Sequence, residues 1–122
     1  MSVNDFKVIF YEKEDGTVPV RNFLLSLDVK MRAKLMRLIE MLKTNGNELR
    51  EPYSKSLGEG IFELRARIWT DISRVFYFFL VERCIVLTNG FIKKTEKTPD
   101  NEIDRAKRYR EDYLRRENSD DY

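Results

Sequence analysis

The sequence predicts a single α+β domain in which helices pack on an antiparallel sheet of about four strands. Strand-like patterns cover residues 6–11 and 61–91, and the later strands are joined by links of hairpin length. Helical periodicity occurs both before and after residues 61–91, which places helices at either side of the main group of strands. The 122 residues are enough for one core, so one domain is expected over residues 1–122, with residues 117–122 frayed.

The first half of the chain predicts one strand followed by two helices. Residues 6–11 are aromatic and β-branched, which is typical of a strand. Pro19 favours the start of a short helix, and Asp28 is a suitable N-cap for a second helix that ends at Gly46. Residues 47–60 are rich in turn-forming residues and are predicted to be a loop.

The second half predicts three strands and a last helix. Residues 61–68 alternate between apolar and charged side chains, as in a strand with one face in the core. The aromatic run at residues 72–80 is typical of a central strand, and residues 83–91 predict the third. Thr98 is predicted to be the N-cap of the last helix, with Pro99 at its first position.

Composition excludes several kinds of site. The chain has no histidine and one cysteine, which excludes imidazole catalysis, a structural zinc site and an intrachain disulfide. Any acid–base group must therefore be Glu, Asp, Lys, Arg or Tyr. We also predict no metal and no cofactor. No apolar run is long enough to cross a bilayer and no signal peptide is recognised, so a cytoplasmic protein without a membrane partner is expected.

The net charge of +2 is unevenly distributed along the chain. Residues 61–97 carry seven Lys and Arg against four Asp and Glu, together with seven aromatic residues. Basic residues interleaved with aromatic ones are typical of a nucleic-acid surface. An excess of this size also fits a structural sheet with a basic solvent face, so charge alone leaves both interpretations open.

A cluster of arginines is predicted on neighbouring strands. Alternation along residues 61–68 places Glu63, Arg65 and Arg67 on one face, and a hairpin brings Arg74 beside Arg65 or Arg67. Guanidinium groups repel one another unless an anion lies among them, and a phosphodiester would supply more negative charge than Glu63 alone. The same residues could instead form an exposed ladder of ion pairs that adds little stability.

Lysines follow the last predicted strand. Lys93, Lys94 and Lys97 lie in the connection to the last helix, whose N-terminal N–H groups favour an anion. Phe91 offers a face on which a base could stack, and Lys55 could lie at the rim of the same basic pocket. The alternative is a solvated loop whose lysines only keep the protein soluble.

Three segments resemble a known superfamily. They are Glu-Leu-Arg at residues 63–65, Arg-Val-Phe-Tyr at 74–77 and Gly-Phe-Ile-Lys-Lys-Thr at 90–95. They resemble the RelE/ParE superfamily of toxins, and the third segment is most similar to its HigB-like, phage-derived branch. The resemblance extends over nearly the whole chain.

The resemblance implies a type II toxin that enters the ribosome and cuts messenger RNA by attack of a ribose 2′-OH on the neighbouring phosphate, without a metal. The implied catalytic residues are Arg74, which would clamp the phosphate, Arg65 of the Glu-Leu-Arg segment, and Lys93 and Lys94 at basic or acid–base positions. Glu63 is a candidate base, or it orients Arg65. Residues expected to bind the RNA are Lys55, Arg67, Phe91 and Lys97.

The resemblance also implies partners: a HigA-like helix-turn-helix antitoxin, operator DNA bound through that antitoxin, and the ribosome with its messenger RNA. Two other functions stay open. The first is a ParE-like gyrase poison with the same fold, and the second is a non-enzymatic RNA- or protein-binding module. The Lys93–Lys94 pair favours the ribonuclease, because a gyrase poison needs no basic pocket that faces a phosphate.

Overall fold

The computed structural model describes residues 5–93 and 98–119 and confirms an α+β fold. Its five strands lie in the order β1-β5-β4-β3-β2 within one mixed sheet. The strands are β1 (Lys7–Phe10), β2 (Ser54–Gly58), β3 (Ile61–Ile68), β4 (Asp71–Leu80) and β5 (Cys84–Lys93). The helices are α1 (Pro19–Ser26), α2 (Val29–Asn45) and α3 (Asp100–Ser119), with a short 3₁₀ turn at Gly46–Glu48.

Two features of the sheet correct the prediction of about four antiparallel strands. Strand β2 lies inside residues 47–60, which were predicted to be a loop. It is an edge strand with mostly exposed side chains. Its sequence therefore lacks the alternation of apolar and polar residues from which a strand is predicted. Strand β1 pairs in parallel with β5, with Lys7 opposite Cys84 and Phe10 opposite Leu87. No hairpin fixes the direction of β1, because two helices follow it before the next strand.

Helices α1 and α2 pack on one face of the sheet, as predicted. The Asp28 carboxylate caps α2 by accepting a hydrogen bond from the Met31 N–H at 2.8 Å. Gly46 ends the helix with φ of +54°, and a Cβ atom there would lie 2.0 Å from the ring of Phe6. The buried side chains of this face are Phe6, Val20, Leu24, Leu27, Met31, Leu35, Leu38, Ile39, Leu42, Leu64, Ala66, Val75, Tyr77, Ile85 and Leu87.

Helix α3 covers part of the opposite face. Ala106 is fully buried against this face, and the rings of Tyr109 and Tyr11 stack with centroids 4.8 Å apart. The Tyr11 hydroxyl donates to Asp112 at 2.6 Å, while Arg116 lies 2.8 Å from the same carboxylate. Helix α3 is thereby attached to the residue that follows β1. None of the helices in the described ranges is long and apolar enough to span a bilayer.

Candidate functional site

The register between β3 and β4 determines which arginines meet. Arg65 lies directly opposite Arg74, whereas Arg67 lies opposite Ile72. The expected neighbourhood of Arg74 is therefore confirmed, and Arg65 is its partner. Strand β2 pairs with the edge of β3 that does not face β4, and Lys55 of β2 lies opposite Glu63 there.

Glu63 lies between two guanidinium groups. Its Oε1 atom is 3.2 Å from Nε of Arg74 and 3.8 Å from Nε of Arg65. Glu63 and Arg74 are only 1% and 0% exposed, and the Arg65 side chain is 16% exposed. The alternative prediction of an exposed ladder of ion pairs is therefore wrong, since Glu63 and Arg74 are buried. A buried pair of this kind is stable only while each charge keeps its partners.

Thr98 completes this buried cluster. Its hydroxyl accepts a hydrogen bond from Nη1 of Arg74 at 2.8 Å and lies 3.0 Å from both carboxylate oxygens of Glu63, to which it donates. The predicted helix start is corrected, because α3 begins at Asp100 and Pro99 lies just before it. The Thr98 hydroxyl binds the buried charges instead of capping the helix. A buried charge without a hydrogen-bonding partner is costly, whereas water can bind the free N–H groups at the start of a helix.

Phe91 packs against the buried cluster. It lies opposite Arg74 on β5, and its ring centroid is 5.8 Å from the Arg74 Cζ atom. The same ring stacks on Phe76 at 5.7 Å and is partly buried. Gly90 allows a close approach here, because a Cβ atom would lie 2.5 Å from the Phe23 ring and 2.8 Å from the Arg74 carbonyl oxygen. Phe91 is thus a neighbour of Arg74, and its predicted contact with RNA stays a prediction.

The lysines of the predicted site are described only in part. Lys55 is exposed on β2, as is Arg67 on β3. The backbone of Lys93 ends β5 opposite Ile72, while its side chain, Lys94 and Lys97 lie outside the described residues. Within residues 5–93 and 98–119, no cluster of His, Cys, Asp or Glu could hold a metal ion.

A pocket of about 400 Å³ lies beside this cluster and involves residues that the sequence did not single out. Lys34 of α2 and Tyr53 before β2 line it together with Arg65 and Arg67. The Lys34 ammonium donates to the backbone carbonyl of Arg67, which joins α2 to β3. No local pattern could have identified these residues, because the pocket depends on how α2 packs against β3. The sequence predicts Thr98 only as a helix cap.

The comparisons with known proteins place this site within a family. Residues 22–111 match the family described as phage-derived protein Gp49-like (DUF891). The matched segment runs from α1 into α3 and includes the whole cluster of Glu63, Arg65, Arg74 and Thr98. No curated protein matches the chain. The chain therefore belongs to the Gp49-like, phage-derived family, which is a family of RelE-like, toxin-like proteins.

Proposed function

We propose that this chain is the toxin of a type II toxin–antitoxin system, that it belongs to the HigB-like branch, and that it cuts ribosome-bound messenger RNA in the cytoplasm. Membership of a RelE-like family supports the toxin function. The observation that carries the nuclease activity is the pairing of Arg65 and Arg74 across two strands, with Glu63 between them. Two adjacent guanidinium groups suit the negative charge of a phosphate under attack.

The two arginines differ in how a phosphate could reach them. Arg65 lies at the boundary with solvent and makes the first contact, while Arg74 lies beside it on β4 and is fully buried. A phosphate oxygen reaches Arg74 by replacing the Thr98 hydroxyl as the acceptor of the Nη1 hydrogen bond. The transition state is then held by two arginines, because charge builds on the phosphate oxygens during attack by the 2′-OH.

The proton transfers are assigned by what each group already binds. Both carboxylate oxygens of Glu63 accept from Thr98, and one also faces Arg74, so we give Glu63 the role of positioning Arg65 and Arg74. Lys93 and Lys94 keep their proposed acid–base role: one takes the proton of the attacking 2′-OH and the other gives a proton to the leaving 5′ oxygen. No metal ion and no cofactor enter this scheme.

Primer extension on messenger RNA bound to programmed ribosomes tests the activity. The parent protein is expected to cut, and Arg65→Ala should lower the cutting rate on the order of a hundredfold, since one charge-stabilising donor is lost. The Lys93→Ala/Lys94→Ala variant should also cut more slowly. Arg108→Ala is the matched control, because Arg108 is an exposed arginine of α3 and not a member of the buried cluster. Folded Arg65 and double-lysine variants that cut at the parent rate would exclude this site.

The proposed toxin also requires a partner that silences it. We propose a HigA-like helix-turn-helix antitoxin encoded by a neighbouring gene, with operator DNA bound through the antitoxin. Expression of both genes should yield a heteromer that co-purifies and binds the operator. A chain that elutes alone after co-expression, with both proteins detected by blot, would contradict this partner.

The burial of Arg74 favours a second candidate function. Arg74 and Glu63 are almost fully buried and bind each other and Thr98, as two residues with a purely structural role would. A gyrase poison with the same fold needs such a network only for stability. The order in which protein and DNA synthesis stop in cells distinguishes the two candidates.

A further inference from the structure

The pocket beside the arginine cluster lies at a step in the edge of the sheet. Strand β2 begins at Ser54, opposite Leu64, and β3 runs antiparallel to it, so β3 continues to Ile68 past the first residue of β2. The N–H of Arg65 donates to the Tyr53 carbonyl at 2.9 Å, which holds Tyr53 at this step. Helix α2 contributes Lys34 and Leu38 to the lining, and the volume of this open pocket is about 400 Å³.

The pocket is lined by three basic residues, one aromatic residue, one acidic residue and three apolar residues. Lys34, Arg65 and Arg67 are positively charged, and Glu51 contributes the single carboxylate among the residues that line the pocket. The Tyr53 side chain is 44% exposed, so a large part of its surface is open to a ligand. Lys34 lines the pocket, and its ammonium group, which has three N–H donors, makes a hydrogen bond to the Arg67 carbonyl.

We propose that this pocket binds one nucleotide of single-stranded RNA that flanks the cleaved phosphate, with the base on Tyr53 and a phosphate on Lys34 and Arg67. Stacking on an aromatic side chain and contact with Lys or Arg are the two means by which proteins bind single strands. Arg65 lines the pocket and also faces Glu63, so the nucleotide lies next to the candidate cleavage site. The inference rests on the proposed ribonuclease for the identity of the nucleic acid.

Glu51 favours a nucleotide over an acidic peptide. A carboxylate in the pocket repels acidic side chains, whereas it can accept hydrogen bonds from the amino groups on base edges. The volume also lies within the range of pockets that hold small ligands. A nucleotide combines a flat base, N–H donors and one phosphate charge, and each of these has a matching group in the lining.

Fluorescence anisotropy with a short, labelled single-stranded RNA tests the pocket. Tyr53→Ala should weaken binding on the order of tenfold or more, and Tyr53→Phe should retain it, because the ring stacks and the hydroxyl does not. Lys34→Ala should weaken binding and lower the slope of log affinity against log salt by about 0.7. Arg108→Ala is the charge-matched control, since it removes an exposed cation from α3.

The outcomes separate this inference from the proposed function. Tyr53→Ala and Lys34→Ala variants that are folded by thermal melting and bind RNA like Arg108→Ala would overturn the pocket, as would a parent protein that binds no RNA. A parent protein that binds RNA through Tyr53 but never cuts ribosome-bound RNA would keep the pocket and exclude the ribonuclease. Loss of antitoxin capture in both variants, with RNA affinity unchanged, would assign the pocket to a protein partner instead.

Discussion

At the scale of single residues, the pair of Arg74 and Glu63 is expected to control stability. Arg74→Ala leaves the carboxylate of Glu63 buried without its nearest cation, which should cost about 3–5 kcal/mol in the free energy of unfolding. Replacing both residues, as Glu63→Leu and Arg74→Met, should recover most of this loss, because apolar side chains of similar volume need no charged partner. Urea unfolding of the parent, the single variant and the double variant measures both effects.

The double variant also separates structure from chemistry at this pair. A folded Glu63→Leu/Arg74→Met protein that no longer cuts RNA would support a role of the pair in the reaction. The same protein cutting at the parent rate would show that the pair only stabilises the fold. A double variant less stable than Arg74→Ala would contradict the buried-charge argument itself.

The Tyr11 hydroxyl is expected to make the free energy of unfolding depend on pH in the alkaline range. Burial and the hydrogen bond to Asp112 raise the pKa of Tyr11 from 10.0 to about 12, so folding favours the neutral phenol. This contribution is complete below pH 10 and is lost as the pH rises toward about 12. The free energy of unfolding should therefore fall more steeply over this range in the parent than in Tyr11→Phe. Burial also raises the pKa values of Tyr77 and Tyr113, but both proteins share these residues.

Guanidinium unfolding at a series of alkaline pH values measures the difference between the two proteins. At neutral pH, Tyr11→Phe should cost about 1 kcal/mol for the lost hydrogen bond, while Asp112 keeps its contacts with Arg115 and Arg116. Parallel curves for parent and variant throughout the alkaline range would contradict the raised pKa of Tyr11.

At the scale of elements, the contact between α1 and β5 depends on Gly90. Because a Cβ atom there would lie 2.5 Å from the Phe23 ring and 2.8 Å from the Arg74 carbonyl oxygen, Gly90→Ala should destabilise the protein by about 1–3 kcal/mol. Adding Phe23→Leu should restore only part of this loss, since the contact with backbone remains. Thermal melting of the single and double variants tests this, and full restoration would show that only the ring is in conflict.

Helices whose capping residues lie within the same segment could be predicted from the sequence. Strands whose position or direction depends on contacts with distant residues could not. Helix α2 was predictable because Asp28 caps its start and Gly46 ends it, both through contacts inside the segment. Strand β2 was not predicted because it is an edge strand that pairs with β3 through backbone hydrogen bonds. Such pairing does not require apolar side chains, so the sequence of β2 carries no strand pattern. The parallel direction of β1 depends on its pairing with β5, far away in the sequence.

The candidate site shows the same division at the scale of the whole molecule. The short link between β3 and β4 made the neighbourhood of Arg65 and Arg74 predictable, because a hairpin of that length sets the register. The burial of Arg74 was not predictable, since it depends on Thr98, which lies 24 residues further along the chain. The pocket depends likewise on Lys34 meeting β3 across 33 residues.

The whole molecule, if it is the proposed toxin, is expected to stop protein synthesis when it is expressed without the proposed antitoxin. Pulse labelling after induction should show amino-acid incorporation falling before thymidine incorporation, because cut messenger RNA halts translation directly and replication only later. Arg65→Ala at an equal level, confirmed by blot, should leave both rates near those of uninduced cells, while Arg108→Ala should behave like the parent. The reverse order, with DNA synthesis falling first, would replace the ribonuclease by the gyrase poison. Full growth of cells that make the parent protein at the same level would contradict both toxins, and the function would then be sought in binding alone.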